Sequence, residues 1–301
     1  MQGSGGTHIP ETQNSRPGKA AVSAAAGWAG GMVKKMSRLL VCPPEYYRIA
    51  YVINSWMRLE VAVDPLSARL QWDNLMAVLE KDCSASLEHL APAPEVPDMV
   101  FTANAAAMAG KTAVLSRFRF PGRQPEEDYY RRWFLTHGYH VEQLPEDIAF
   151  EGAGDLLGFE TLRFGGYRQR TDIRAYEYVS RLINCEIVPV ELIDLRFYHL
   201  DTCFCPLTGG ELLWFPEAFD RHGQGAINER LDKSRLIAVR EEEALRFACN
   251  AISIGKNVVL PEGCPETMAM LQEHGYTPHA VNLSEFIKAG GAAKCLTLAL
   301  D

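Results

Sequence analysis

The chain has 301 residues, 47% of them hydrophobic and 23% charged, with a formal net charge of -8 and a pI of about 5.6. That length can bury a large core. The acidic balance and the lack of any long Lys/Arg run argue against a nucleic-acid partner, and no apolar stretch reaches membrane-spanning length.

Residues 1–37 are rich in Gly, Ala, Ser and Pro without helix or strand periodicity. Ala20 to Val33 is built of small residues and makes a poor signal-peptide core. A disordered extension is expected there, followed by a single catalytic domain over 38–301. The pattern then starts with a short strand, Arg38 to Val41, ended by Pro43-Pro44. A helix is expected from Pro65 to Glu80, with Leu66, Leu70, Trp72, Leu75, Met76 and Leu79 on its apolar face. Val100 to Ala109 and Thr112 to Phe118 read as strands paired around Gly110-Lys111. Glu126 to Thr136 is helical and stops at Gly138. Next come a helix over Ala175 to Ile183, a strand over Glu186 to Leu192 and a strand over Leu236 to Val239. A helix over Glu241 to Cys249, a strand over Asn257 to Leu260 and a helix over Pro265 to His274 follow, and Ser284 is expected to cap a short helix through Lys288.

Within this alternation lies a repeat. His137-Gly138-Tyr139 and His274-Gly275-Tyr276 each follow a helix, and each is followed after the same offset by a glycine-bearing loop, Glu151-Gly152-Ala153-Gly154 and Lys288-Ala289-Gly290-Gly291. A looser third unit leads into Tyr198-His199-Leu200-Asp201. Strand-helix-strand modules repeated about an axis would bring these loops to one centre.

The loops carry reactive residue types. Cys295 follows Gly290-Gly291-Ala292-Ala293-Lys294, small residues past which a ligand could reach it; a buried core cysteine is the plainer alternative. His199 and Asp201 would share a face in an extended segment, as a base beside a carboxylate or as a surface ion pair. Glu151 and Asp155 flank a glycine turn that suits a cation better than a phosphate, and could equally be solvated acids. If the run from Pro97 to Asn104 is extended, Asp98, Val100, Thr102 and Asn104 share a face; alternatively Asp98 and Asn104 stand at the two ends of an edge strand. Of the arginines near strand ends, one or two could clamp a substrate carboxylate. The eight cysteines are irregularly spaced, which suits reduced thiols in a cytoplasmic protein better than a disulfide framework or a zinc site.

Together the runs Leu40 to Pro44, Pro97 to Ala105, Phe150 to Asp155, His199 to Gly209 and Lys288 to Thr297 resemble the guanidine-modifying (amidinotransferase, or pentein) superfamily, and within it arginine dihydrolases most. The resemblance covers Leu39 to Leu300 and implies a five-bladed α/β propeller of ββαβ modules. It implies Cys295 as nucleophile, His199 as acid and base, and Glu151 as its partner. Asp98 and Asp201 would bind the guanidinium, with Asp155 a further candidate, and Phe101 and Asn104 would also line the substrate. Arg123 and Arg170 are similar in placement to arginines that hold an α-carboxylate. Arginine deiminases carry an aspartate where this chain has Asn104, and an amide could donate to the ureido oxygen of bound citrulline for a second hydrolysis. The chain departs from the dihydrolase pattern at Ala106, where a glycine is expected.

The implied reaction takes a small guanidine substrate with no cofactor and no metal, and yields ornithine, carbon dioxide and ammonia. A deiminase or dimethylarginine dimethylaminohydrolase would stop at citrulline; an amidinotransferase would pass the amidino group to another amine. A non-catalytic binding protein of the same fold is the alternative of another class. A homo-oligomer is compatible with the sequence.

Overall fold

The computed structural model describes Met1 and residues 37–300, so the expectation of a disordered extension falls almost wholly outside the described residues. Strand β1 (Arg38–Val41) buries Leu39, Leu40 and Val41. Helix α1 (Pro65–Lys81) opens on Pro65, and the Asp64 carboxylate accepts from the backbone N–H groups of Leu66 at 3.0 Å and Ser67 at 3.5 Å. Its buried face is Ala68, Gln71, Trp72, Leu75, Met76 and Leu79. Leu66 and Leu70, expected on that face, are 83% and 62% exposed. At roughly 100° per residue they project opposite Leu75, so the apolar letters wrap further round than the contact does. Strand β2 (Ser86–His89) then runs parallel to β1.

The second module corrects a strand expectation. Residues 97–104 form two 3₁₀ turns, Pro97–Val100 and Thr102–Asn104. The N–H groups of Phe101, Asn104 and Ala105 close these turns on Asp98 O, Phe101 O and Thr102 O, and the Ala103 N–H and the Thr102 hydroxyl reach Cys295 O at 3.1 Å and Leu40 O at 2.8 Å, so these groups are not spent on a ladder. Strand β3 (Ala106–Ala109) begins after them and pairs antiparallel with β4 (Thr112–Leu115) across Gly110. Helix α2 (Glu126–Thr136) stops ahead of Gly138, whose φ of +74° suits a residue without a Cβ, and β5 (His140–Glu142) lies parallel to β4.

The third module is β6 (Leu156–Gly158), β7 (Leu162–Tyr167), α3 (Ala175–Ile183) and β8 (Glu186–Glu191). The fourth is β9 (Phe204–Pro206), β10 (Leu212–Trp214), α4 (Arg221–Arg230) and β11 (Leu236–Ala238). Helix α5 (Glu241–Ala244) is only 4 residues long, against an expected run to Cys249, because the chain reverses at Phe247 with φ +65°. The fifth module is β12 (Ile252–Ile254), β13 (Asn257–Pro261), α6 (Pro265–Glu273) and β14 (Thr277–Val281). In α7 (Ser284–Ile287), Ser284 is already helical and caps nothing; its hydroxyl accepts instead from Gln71 Nε2 on α1 at 2.8 Å. Strand β15 (Leu298–Ala299) returns to pair antiparallel with β1.

Every one of these five three-stranded sheets has one plan: β15-β1-β2, β3-β4-β5, β6-β7-β8, β9-β10-β11 and β12-β13-β14, the first pair antiparallel and the second parallel across a helix. This is the five-bladed ββαβ arrangement, and the two His-Gly-Tyr runs mark the same place in the second and fifth modules, with Gly138 and Gly275 at φ +74° and +78°. Neighbouring modules share apolar contacts, as where the buried rings of Phe164 on β7 and Phe204 on β9 pack 5.1 Å apart. No helix among the described residues is long and apolar enough to cross a membrane.

The repeat fixes the place of the polar turns. Residues 97–104 precede β3, 151–155 precede β6, 199–202 precede β9, Asn250 precedes β12 and Cys295 precedes β15. Each turn therefore stands at the start of the first strand of its sheet.

Candidate active site

All ten side chains singled out in the sequence are at most 5% exposed: Asp98, Phe101, Asn104, Arg123, Glu151, Asp155, Arg170, His199, Asp201 and Cys295. Burying so many charged groups is costly unless they satisfy one another. Most of them do, and the exceptions are informative.

Cys295 lies in a turn held by Asn250, whose Oδ1 accepts from the N–H groups of Ala292 at 3.0 Å and Cys295 at 3.2 Å. Asn250 Nδ2 donates to Cys295 Sγ at 3.1 Å and to Asp201 O at 2.9 Å. The thiol donates to Asp201 Oδ2 at 3.3 Å. Burial, and next the charge on Asp201, push the thiol well above its ordinary range, so the resting residue is a thiol. Burial pushes the Asp201 carboxyl up to about 6, against the opposing pull of Lys294 and the hydrogen bonds from Cys295 and Asn250.

Glu151 organises the second half of the site. Its Oε2 accepts from Arg170 Nη1 at 2.9 Å and meets His199 Nε2 at 2.7 Å, while Oε1 accepts from the Arg119 N–H at 3.2 Å. Burial works to raise this carboxyl, but the Arg170 guanidinium and the His199 contact outweigh it and hold Glu151 well below the usual carboxylate range. Arg170 is sandwiched between the rings of Phe120 at 4.9 Å and Tyr198 at 4.6 Å, and donates to Ile53 O at 3.0 Å. His199 is extended and Asp201 follows in a 3₁₀ turn, so they do not share a strand face: His199 meets Glu151 of the third module, and Asp201 meets the Cys295 thiol.

Arg123 forms a two-pronged ion pair with Glu126, both contacts 2.8 Å, and donates to Asn104 Oδ1 at 2.8 Å and Asp98 O at 3.3 Å. Burial pushes Glu126 up to about 7 despite Arg123. Burial likewise raises Asp98, with Arg123 opposing. The amide of Asn104 has only a long 3.4 Å bond to Glu151 O for its Nδ2. A Cβ on Gly154 would strike that amide, so the glycine is what lets the turn before β6 approach Asn104. Asp155 is committed to the scaffold: Oδ1 accepts from the Leu200 N–H at 3.0 Å and Oδ2 from the Thr171 hydroxyl at 2.7 Å. Phe101 is edge-on to Tyr47 at 5.7 Å, close against Gly291.

Among the buried polar atoms left without a hydrogen-bond partner are Asp98 Oδ1, Asp201 Oδ1 and His199 Nδ1. Two carboxylate acceptors and one ring nitrogen thus remain open among buried groups that include a thiol. Such orphans call for a polar, hydrogen-bonding occupant, and acceptors of this kind suit a cation. The segment over 47–56 covers this region, with Asn54 Nδ2 donating to Ala289 O at 3.0 Å, Trp56 Nε1 to Arg196 O at 2.8 Å and Tyr47 Oη to Glu285 O at 3.0 Å.

Residues 54–300 match the family described as N,N dimethylarginine dimethylhydrolase, eukaryotic. The N(G),N(G)-dimethylarginine dimethylaminohydrolase of Mycobacterium tuberculosis is 36% identical over 87% of this chain and 85% of its own length. The chain belongs to the dimethylarginine dimethylaminohydrolase family. The family's hydrolases act on guanidine C–N bonds. It is also 42% identical, over 87% of its length, to the bifunctional arginine dihydrolase/ornithine cyclodeaminase ArgZ of Synechocystis sp., of which it spans only 37%. The solved N-terminal domain of ArgZ with bound product superposes with a TM-score of 0.85, at 42% identity, over 88% of this chain and 98% of that domain.

Asn250, Glu126 and Thr171 were not foreseen. Asn250 could have been found from the repeat alone, since it holds the same place before β12 that the other site residues hold before their strands. Glu126 looked like an ordinary acidic residue of a helix first turn, and nothing local shows that Arg123 folds back on it.

Proposed function

We propose that residues 38–301 are a catalytic domain that hydrolyses the guanidinium of L-arginine through a thiouronium on Cys295. One arginine and two waters give ornithine, carbon dioxide and two ammonia molecules. The observation that carries this reading is the pair of open buried acceptors, Asp98 Oδ1 and Asp201 Oδ1, the second on the carboxylate that accepts from the Cys295 thiol. The similarity to ArgZ favours arginine as substrate.

A guanidinium about 4 Å from sulfur, at an effective dielectric of about 20, favours the thiolate by roughly 4 kcal/mol. The substrate thereby activates a nucleophile that is a thiol at rest. The thiol proton passes to His199 Nδ1, the nitrogen Glu151 does not engage, sulfur bonds to the central carbon, and His199 hands that proton to the departing amine as the C–N bond breaks. Water then adds to the thiouronium, losing its proton to His199, and the C–S bond breaks to release citrulline. Asn104 Nδ2, weakly held at 3.4 Å, is the donor that would keep the ureido oxygen in place for a second cycle. Arg123 and Arg170 hold the substrate α-carboxylate in this reading, although each already has a buried carboxylate partner.

The second reading is dimethylarginine dimethylaminohydrolase activity, favoured by the near full-length match to the mycobacterial enzyme. Mass-resolved product analysis separates them: purified protein given L-arginine should yield ornithine and two equivalents of ammonia. Citrulline alone would overturn the dihydrolase, and turnover of methylated arginines only would establish the second reading.

The raised carboxyls make substrate binding pH-dependent. In the empty protein, burial favours protonated Asp201, so that contribution to stability is present in acid and is lost as pH rises through about 6. A bound guanidinium reverses the balance by needing the carboxylate. L-Arginine should therefore raise the unfolding temperature of a Cys295→Ala variant more at pH 8 than at pH 5. An equal shift at both would contradict Asp201 as the cation's partner.

A further inference from the structure

Asn250 is fully buried, and both its backbone and its side chain fasten on the segment over 292–295. Its N–H donates to Phe247 O at 2.9 Å, closing a reversal in which Phe247 takes φ +65°, an unusual backbone for a residue with a Cβ. Its carbonyl accepts from the Lys294 N–H at 3.1 Å. The side-chain amide then fills its hydrogen-bonding capacity: Oδ1 with the N–H groups of Ala292 and Cys295, Nδ2 with Asp201 O and Cys295 Sγ.

Three of those partners are backbone groups whose roles cannot be exchanged. Two N–H groups need an acceptor and the Asp201 carbonyl needs a donor, so the amide has one orientation and presents an N–H to sulfur. The sulfur accepts that bond at 3.1 Å while its own proton goes to Asp201 Oδ2 at 3.3 Å. Among the described residues, no other side-chain N–H lies within hydrogen-bond distance of Sγ.

Ionisation changes the balance of these contacts. Once the thiol proton has left, Sγ and Asp201 Oδ2 face each other at 3.3 Å as two negatively charged acceptors and repel. The Nδ2 contact strengthens instead, because a hydrogen bond to an ion is roughly twice as strong as one between neutral groups. An amide carries no net charge, so it supports the sulfur anion as that charge develops without holding the resting thiol ionised.

We propose that Asn250 is a catalytic residue whose oxygen sets the turn carrying Cys295 and whose Nδ2–H stabilises the sulfur anion, both as a guanidinium arrives and when the C–S bond breaks and its electron pair returns to sulfur. The inference rests on the guanidinium hydrolysis proposed above. It divides one side chain into a structural end and a chemical end.

The test compares the full chain with its Asn250→Asp and Asn250→Ala variants. Asn250→Asp keeps an oxygen for the two backbone N–H groups and sets a second oxygen against sulfur, whereas Asn250→Ala removes both ends. The Asp201 carbonyl loses its donor in each, so the unfolding temperature falls in both and does not discriminate. With L-arginine, kcat should fall by about 10²-fold or more in both variants, and its acid limb should move upward by about one pH unit. The second readout needs no turnover: alkylation of Cys295 by iodoacetamide at pH 9 without arginine, followed by peptide mapping. A looser turn would speed attack on a thiol that is 2% exposed, whereas loss of the anion's donor slows it. Alkylation about tenfold slower than wild type is expected in both variants. Faster or unchanged alkylation in a folded variant, or kcat within about threefold of wild type for Asn250→Asp, would overturn the proposal. Loss of the fold in both would assign Asn250 to the scaffold and overturn it as well. A wild type inactive on arginine would instead overturn the hydrolase reading, and the alkylation rates then decide the role of Asn250 alone.

Discussion

Replacing Cys295 by Ser is expected to lower kcat/KM by at least about 10⁴-fold, the scale of losing a covalent nucleophile. The substitution is conservative in every other respect. A serine hydroxyl can accept from Asn250 Nδ2 and donate to Asp201 Oδ2 as the thiol does, at 3.1 and 3.3 Å. The turn that carries residue 295 is held by Asn250 through the backbone N–H groups of Ala292 and Cys295, not through sulfur. Unfolding free energy should therefore change by no more than about 1 kcal/mol. The difference is in ionisation: a guanidinium can draw a thiol with an ordinary pKa of about 8.5 into its anion, but not an alcohol. Steady-state kinetics together with intact-protein mass spectra after rapid acid quench check this. Wild type should carry a substrate-derived adduct and the variant none. A serine variant retaining a tenth of the activity would eliminate Cys295 as nucleophile.

Glu151→Gln is expected to damage stability and turnover together. An uncharged amide leaves Arg170 buried with no carboxylate, and an uncompensated buried charge costs about 3–5 kcal/mol. Rings on two sides keep Arg170 from swinging out to solvent. His199 loses the acceptor at 2.7 Å that fixes which nitrogen is free, and removal of an oriented acid-base pair lowers rates by roughly 10²–10⁴-fold. The pH dependence gives a check with a definite sign. Glu151 is held below its ordinary value in the fold, so its contribution is present above the unfolded carboxyl pKa of about 4.3 and is lost as pH falls through the folded value. The stability gap between wild type and variant should then be wide at pH 7 and narrow at pH 3. Denaturant unfolding at the two pH values measures it, and a gap that does not narrow would show that the carboxylate's charge is not what Arg170 requires.

How far the sequence could be read depends on whether the cause was local. The helices Glu126–Thr136 and Ala175–Ile183 were legible to the residue, because glycine or asparagine in a left-handed conformation ends or follows each. The module plan was legible from two His-Gly-Tyr runs at matching offsets. The strand expected from Val100 starts only at Ala106, because alternation of polar and apolar letters also fits turns in which the Thr102 hydroxyl and the Ala103 N–H reach Leu40 O and Cys295 O. The helix expected from Glu241 to Cys249 failed similarly: Glu243 is drawn away to cap α6, accepting from the Glu266 and Thr267 N–H groups at 2.8 and 2.7 Å, and the chain turns at Phe247. At the site, residue types were legible but not their pairing. That Arg170 spends itself on Glu151, and Arg123 on Glu126, depends on how each guanidinium folds back within its own module, which no residue pattern shows.

The clasp between β15 and β1 has a consequence for how the protein is made. Leu298 and Ala299 pair with Leu40 and Leu39, so the ring closes only when the segment after Cys295 returns to β1 at the other end of the domain. The other four sheets are each assembled from one continuous stretch and can form as they are translated. The sheet of largest sequence separation must wait, and such contacts are the slow ones to form. Because Cys295 stands 3 residues before β15, the proposed nucleophile takes its place only as the ring shuts. A chain whose β15 has not yet docked would hold His199 and Glu151 in place without Cys295 beside Asp201, so the proposed reactivity toward guanidines would belong only to molecules whose ring has closed.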